Sequence, residues 1–144
     1  MIALDSNLLV YAHRGEAERY REAYELVQGL AEGRAPWAIP FPCISEFLRN
    51  VTDARIYANP TSLDEALAQV TFWTEAPTIR LLGEGKHHLD LLAAVAHEGR
   101  VRGAAIHDAR IAAICLEHGV RELWTADRDF GRFPSLKTRN PLVG

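Results

Sequence analysis

Short apolar runs alternate with longer segments of helical period, and that alternation constrains the fold of this chain more than any other feature. The runs are "MIAL", "PWAIPF", "TIRLLG" and "RELWTA". Between them, apolar residues recur three and four positions apart, as on one face of a helix. From Glu16 to Glu32 the series is Tyr20, Ala23, Tyr24, Val27, Leu30 and Ala31, with Gly33 as a stop. In "CISEFLRNVTD", Ile44, Phe47, Leu48 and Val51 share a face, and Pro42 is a favourable starter just ahead. "SLDEALAQVTFWTE" opens on Ser62 with Glu65 three residues on, a capping-box pattern. "HHLDLLAAVAHEG" and "HDARIAAICLEHG" read as helices closed by Gly99 and Gly119. Such alternation predicts an α/β fold, with a short, mostly parallel sheet flanked by helices on both faces. The 144 residues show no repeat or linker, so one domain over 1–144 is expected.

Charge and composition narrow the function. The formal net charge of −3 gives no basic field over the whole protein, so any nucleic-acid contact must use a local patch. No run approaches the roughly 18 apolar residues of a membrane span, and Asp5 interrupts the apolar N-terminus where a signal peptide would continue. A cytoplasmic protein without membrane contact is expected. Cys43 and Cys115 lie far apart in apolar surroundings and read as reduced core thiols. His87 and His88 are adjacent and point in different directions on a helix, so they read as a helix start, not a metal site. Trp37, Trp73 and Trp124 read as core.

The chemistry lies in the acids. "MIAL" ends on Asp5, and "LWTADRDF" leaves its apolar run on Asp127 and Asp129. Taken singly, each is a turn former or a cap. In an open α/β sheet, however, sites form beyond the C-terminal ends of strands, where Asp5 and Asp127 fall. Glu46 and Asp108 are read as lying early in their helices, where the N-terminal partial charge favours a carboxylate. Converging carboxylates resist joint ionisation unless a cation holds them together. A hard divalent ion with oxygen ligands does so, and such a site activates water and steadies phosphoryl charge.

Three segments are familiar in their order: "ALDSNLLVYA", "ISEFLRNVT" and "IHDARIAAICLEHGVRELWTADRDFGRF". With them the chain resembles the PIN-domain family, and within it the VapC-type toxin ribonucleases of bacterial toxin–antitoxin pairs. The resemblance implies a PIN-like three-layer α/β/α fold and a Mg²⁺-dependent endoribonuclease in which Mn²⁺ can substitute. It implies Asp5, Glu46, Asp108 and Asp127 as catalytic acids, with Asp5, Asp108 and Asp127 on the metal. Asp129, Ser6, Asn7 and Thr125 match accessory positions. RNA as substrate, a cognate antitoxin and a homodimer follow from it too. The apolar helices "SLDEALAQVTFW" and "HHLDLLAAVA" also favour a dimer.

Arg14, Arg49, Arg110, Arg128 and Arg132 lie near the acid motifs and are candidates for RNA phosphates, with His107 beside Asp108 as a further candidate. Two other classes compete. A haloacid-dehalogenase-like phosphatase needs a second aspartate two residues after the first, where this chain has Asn7. A non-catalytic PIN-like binding module has no use for four intact acids.

Overall fold

The computed structural model describes residues 1–143. Five strands form one parallel sheet: β1 (Ile2–Leu4), β2 (Trp37–Pro40), β3 (Ile79–Leu82), β4 (Glu122–Trp124) and β5 (Thr138–Arg139), in the order β3-β2-β1-β4-β5. Six α-helices are found among the described residues: α1 (Ser6–His13), α2 (Tyr20–Glu32), α3 (Phe41–Val51), α4 (Leu63–Thr74), α5 (His88–Gly99) and α6 (Ile106–Glu117). They cover the sheet as the outer layers of a three-layer α/β/α fold. Helix α1 packs on α2 and α3, α3 on α4, and α5 on α6. None of these helices is long and apolar enough to cross a membrane.

The strand order places the site. From β1 the chain steps outward through β2 to β3, then returns to β4 on the opposite side of β1. The order therefore reverses between β1 and β4, and a crevice opens there beyond the strand ends. Every residue of β1 and β2 is buried, with Ala3, Leu4, Trp37 and Ala38 fully so. The sheet beneath the crevice is thus fixed by packing on both faces.

Several features sharpen or depart from the sequence expectation. Of the two single-residue readings of Asp5, turn former or cap, the structure shows the cap: it is the N-cap of α1, its side chain accepting from Ser6 N at 2.8 Å. Leu8, Leu9, Val10 and Ala12 of α1 are all buried, so the helix shows no single apolar stripe to read. Helix α2 begins at Tyr20, four residues after the expected Glu16, and β5 beyond β4 is too short to have carried a pattern. Gly99 does not terminate α5 by its backbone. The left-handed residue is Arg100, at φ 51°, and Gly99 is the last helical residue. A Cβ at Gly99 would stand 2.7 Å from Phe133 Cε1, so close packing requires the glycine. Gly119, at φ 68°, does close α6 as expected.

Candidate active site

Asp5 is the best-held acid in the crevice. It is 3% exposed, and its two oxygens collect four donors. Oδ1 accepts from Ser6 N at 2.8 Å and from the Cys43 thiol at 3.5 Å. Oδ2 accepts from Thr125 Oγ1 at 2.7 Å and from Asn7 Nδ2 at 3.3 Å. Burial pushes its carboxyl above the ordinary range, with Glu46 adding to the push, while the Thr125, Ser6 and Cys43 donors pull it back. The cysteines match their sequence reading. Both are free and buried, and burial pushes Cys43 well up and Cys115 to about 12, so both stay thiols. That Cys43 would reach Asp5 had no signal in the sequence.

Asn7 and Thr125 join the two strand ends. Asn7 Nδ2 donates to Thr125 Oγ1 at 3.2 Å, and Asn7 Oδ1 accepts from Ala126 N at 3.1 Å. Thr125 Oγ1 also accepts from Asp127 N at 3.0 Å. Asp127 then caps a 3-10 turn, Arg128–Arg132, its Oδ1 accepting from Asp129 N at 2.8 Å. The run "LWTADRDF" is thus both a cap and a carboxylate cluster.

One carboxylate oxygen each from Asp108, Asp127 and Asp129 lies within 4.8 Å of the others. The sequence expectation grouped Asp5 with Asp108 and Asp127. Asp129 joins Asp108 and Asp127 in this cluster, and Asp5, whose charge also raises the Asp108 carboxyl, is held by its four donors. Asp108 is the third residue of α6, as expected. Burial raises its carboxyl to about 6, with further pushes from Asp127, Asp5, Glu46 and Asp129. The donor set is all oxygen and the neighbouring carboxylates repel Asp108, which suits a hard divalent cation.

Glu46 is not early in its helix. It is the sixth of the eleven residues of α3, so the helix N-terminus does not hold it. Ser6 does, donating from Oγ to Glu46 Oε2 at 2.7 Å. A cleft of about 400 Å³ runs past Glu46, lined by Tyr11, Arg49, Asn50 and Tyr57, with Ser6 and Asn7 at its acid end. A smaller hollow of about 200 Å³ shares Glu46 and Arg49 and reaches His107 and Arg110. On the far side of the acids, Asp127, Arg128, Arg139 and Asn140 line a third hollow.

The arginines divide. Arg49 is exposed on α3 and lines both clefts at Glu46. Arg110 pairs with Glu84 at 2.8 Å beside the smaller hollow. Arg132 donates to Asp129 O at 3.2 Å. Arg14 is corrected as a phosphate candidate. Its guanidinium lies 4.0 Å over the Tyr57 ring, pairs with Glu16, and donates to Asn59 O and Thr61 Oγ1, which leaves its side chain 12% exposed. Sequence reasoning passed over Tyr11, Asn50, Tyr57 and Arg139, since nothing in the pattern marks a cleft wall.

The comparisons agree with this architecture. The PIN domain family matches residues 2–136. A VapC ribonuclease of Mycobacterium bovis is 35% identical over 144 residues, which covers 100% of this chain and 97% of that protein. Among solved structures, FitAcB from Neisseria gonorrhoeae superposes with TM-score 0.72 at 18% identity, covering all of both chains. A toxin–antitoxin complex from Klebsiella pneumoniae gives TM-score 0.61 at 18% identity, covering 94% of this chain and 95% of that one. These last two identities speak for the fold alone. The chain belongs to the PIN-domain family and, within it, groups with the VapC ribonucleases.

Proposed function

We propose that the chain, as one domain over residues 1–144, is a metal-dependent endoribonuclease and the toxin of a toxin–antitoxin pair. The observation that carries the reading is the triple of Asp108, Asp127 and Asp129 at the switch point of the sheet, backed by buried Asp5. The ribonuclease relative, 35% identical over 97% of its length, supports the same activity. Asp108 and Asp127 would hold Mg²⁺, with Mn²⁺ as substitute. Asp129 adjoins them, and Asp5 joins by releasing a weak donor, Cys43 at 3.5 Å or Asn7 at 3.3 Å. When bound, the ion supplies Lewis acidity toward water and the phosphoryl oxygens.

The chain's own residues do the rest. Ser6 holds Glu46 by Oε2, which leaves Oε1 to take a proton from the attacking water. The water oxygen bonds to phosphorus, the bond from phosphorus to the 3′ oxygen breaks, and that oxygen takes up a proton. The products carry a 5′-phosphate and a 3′-hydroxyl. Arg49 and Arg110 on one side, and Arg128 on the other, meet the backbone phosphates.

Two partner readings and a location accompany this one. Leu63, Phe72 and Leu89 are exposed on α4 and α5, which supports a homodimer. An antitoxin would silence the acids with a guanidinium, which pairs two carboxylates in bidentate fashion. An RNA substrate and two free thiols support a cytoplasmic location. The deciding experiment is a labelled RNA incubated with Mg²⁺ or with EDTA, for the wild type and for Asp108→Asn. Cutting by the wild type in Mg²⁺ alone is the expected result, and cutting by Asp108→Asn at the wild-type rate would end the reading.

A further inference from the structure

The cleft beside Glu46 has a wall whose donor pattern is set in advance. Tyr57 donates its phenol hydrogen to Asn50 Oδ1 at 2.9 Å. That contact occupies one lone pair of Asn50 Oδ1 and orients the amide so that Nδ2, with its two hydrogens, points away from Tyr57. Arg14 lies 4.0 Å over the Tyr57 ring and is itself tied to Asn59 O and Thr61 Oγ1, so the ring is held in place. Arg49 lines the same cleft and has no acceptor atom on its side chain. The wall therefore combines a fixed aromatic ring with donors from Asn50 and Arg49. Its volume of about 400 Å³ is in the range of a site for one small molecule or one nucleotide. It begins at Ser6, Asn7 and Glu46, the residues that adjoin Asp5, so an occupant of the cleft lies next to the reacting phosphate.

We propose that this cleft is a base-reading subsite that takes the guanine of a nucleotide flanking the cut, stacked on Tyr57 and read by Asn50 Nδ2 and Arg49. Guanine presents two adjacent acceptors, O6 and N7, to such donors, and an aromatic ring suits a purine face. Adenine would turn its N6 amine toward donors, and a free asparagine could have matched that edge only by offering its oxygen. The Tyr57 hydroxyl engages that oxygen and competes with the base for it. Tyr57 is thus a positioning residue for Asn50 as well as a stacking surface.

This inference rests on the ribonuclease reading, and two measurements separate them. In the first, the protein cuts a randomised single-stranded RNA pool in Mg²⁺ and the product ends are sequenced. Guanine should be enriched at one fixed position beside the cut, by about tenfold over adenine. Replacing that base by 7-deazaguanine, which lacks N7, should lower cutting severalfold, whereas inosine, which lacks only the N2 amine, should be cut like guanine. Tyr57→Leu and Asn50→Ala should flatten the enrichment. Tyr57→Phe keeps the ring but frees the amide, and should narrow the gap between guanine and adenine.

In the second measurement, labelled oligoribonucleotides that differ only in guanine or adenine are bound in EDTA and followed by anisotropy. Wild type should prefer guanine, and Tyr57→Phe should show a smaller preference. A pool cut with no base enrichment would overturn the subsite and leave the nuclease standing. So would enrichment that persists in Tyr57→Leu and Asn50→Ala, with folding checked by circular dichroism. A guanine preference in EDTA from a protein that never cuts would do the reverse.

Discussion

Thr125 Oγ1 donates to Asp5 Oδ2 at 2.7 Å, across 120 residues of sequence, and so ties the end of β4 to the end of β1. The same oxygen accepts from Asp127 N and from Asn7 Nδ2. One hydroxyl thus uses its hydrogen and both lone pairs. It fixes the carboxylate behind the cluster and the backbone of an acid within it.

Thr125→Val keeps the shape and removes all three bonds. Thr125 is 4% exposed, so water does not replace them fully, and Asp5 and the Asp127 N–H lose a partner. The expected cost is about 1–3 kcal/mol of stability. Thr125→Ser should recover most of it. Urea titration of the two variants checks this, and an unchanged midpoint for the valine variant would show that the tie is slack.

Asp108→Asn should separate stability from function. Asp108 stands among Asp127, Asp129, Asp5 and Glu46, all of which raise its carboxyl. Removing its charge lowers the repulsion in the metal-free protein. The variant should melt higher than wild type in EDTA and show little or no RNA cleavage in Mg²⁺. A lower melting point in EDTA would mean that the carboxylate is held by favourable contacts after all.

The acidity of Asp108 also sets a pH dependence. Its folded value of about 6 lies above the ordinary 3.8. A raised acid favours the proton-bound native state. Its stabilising contribution is complete below about pH 3.8 and is lost as pH rises through about 6. A divalent cation binds the ionised cluster and must displace that proton. The rise in melting temperature on adding Mg²⁺ should therefore be small near pH 5 and larger above pH 7. Equal increments at both pH values would show that Asp108 does not take part in binding.

Legibility followed pattern length. Helices α3, α4 and α6 carry enough turns for the apolar period to show, and β1 to β4 stand out as apolar runs between them. The switch point then follows from strand–helix alternation, which is why Asp5 and Asp127 could be placed together. Helix α1 was lost because Leu8, Leu9, Val10 and Ala12 are buried together and leave no polar face to set a period. Glu46 was misplaced by two residues because Pro42 marks the start of α3 only loosely, and the helix in fact begins at Phe41. The Ser6 bond to Glu46 and the Asn50 bond to Tyr57 depend on how α1, α3 and the following loop pack, and no local spacing encodes that.

The α5 terminus offers a paired test of packing against backbone strain. Gly99→Ala would drive a methyl to 2.7 Å from Phe133 Cε1 and 2.9 Å from Cδ1, and Phe133 is fully buried. Overpacking of this kind costs about 1–3 kcal/mol. Arg100→Gly acts in the other direction: a left-handed backbone at φ 51° strains a residue with a Cβ, and glycine relieves roughly 1 kcal/mol. Chemical denaturation of both variants should move the midpoint in opposite directions. A shift of the same sign in both would show that the two residues do not divide the terminus in this way.

Glu46 gives the sharpest test of the chemistry. It sits on α3, on a different element from Asp108 on α6 and Asp127 after β4, and Ser6 holds only one of its oxygens. That geometry suits a group that takes a proton from water more than one that is fixed as a ligand. Glu46→Gln keeps the size and the Ser6 bond but cannot accept the proton. It should bind RNA and Mg²⁺ as wild type does, yet cut more slowly by roughly 10²-fold or more. Ser6→Ala should show a milder form of the same defect, since it loosens Glu46 without removing the base. If water attacks as proposed, a 2′-deoxy substitution at the cut site should leave cleavage intact, with 5′-phosphate and 3′-hydroxyl ends. Products ending in a 2′,3′-cyclic phosphate would place the ribose hydroxyl in the bond-breaking step and remove the water from it. Near-normal cutting by Glu46→Gln would instead leave the water path intact and assign the proton to another of the crevice acids.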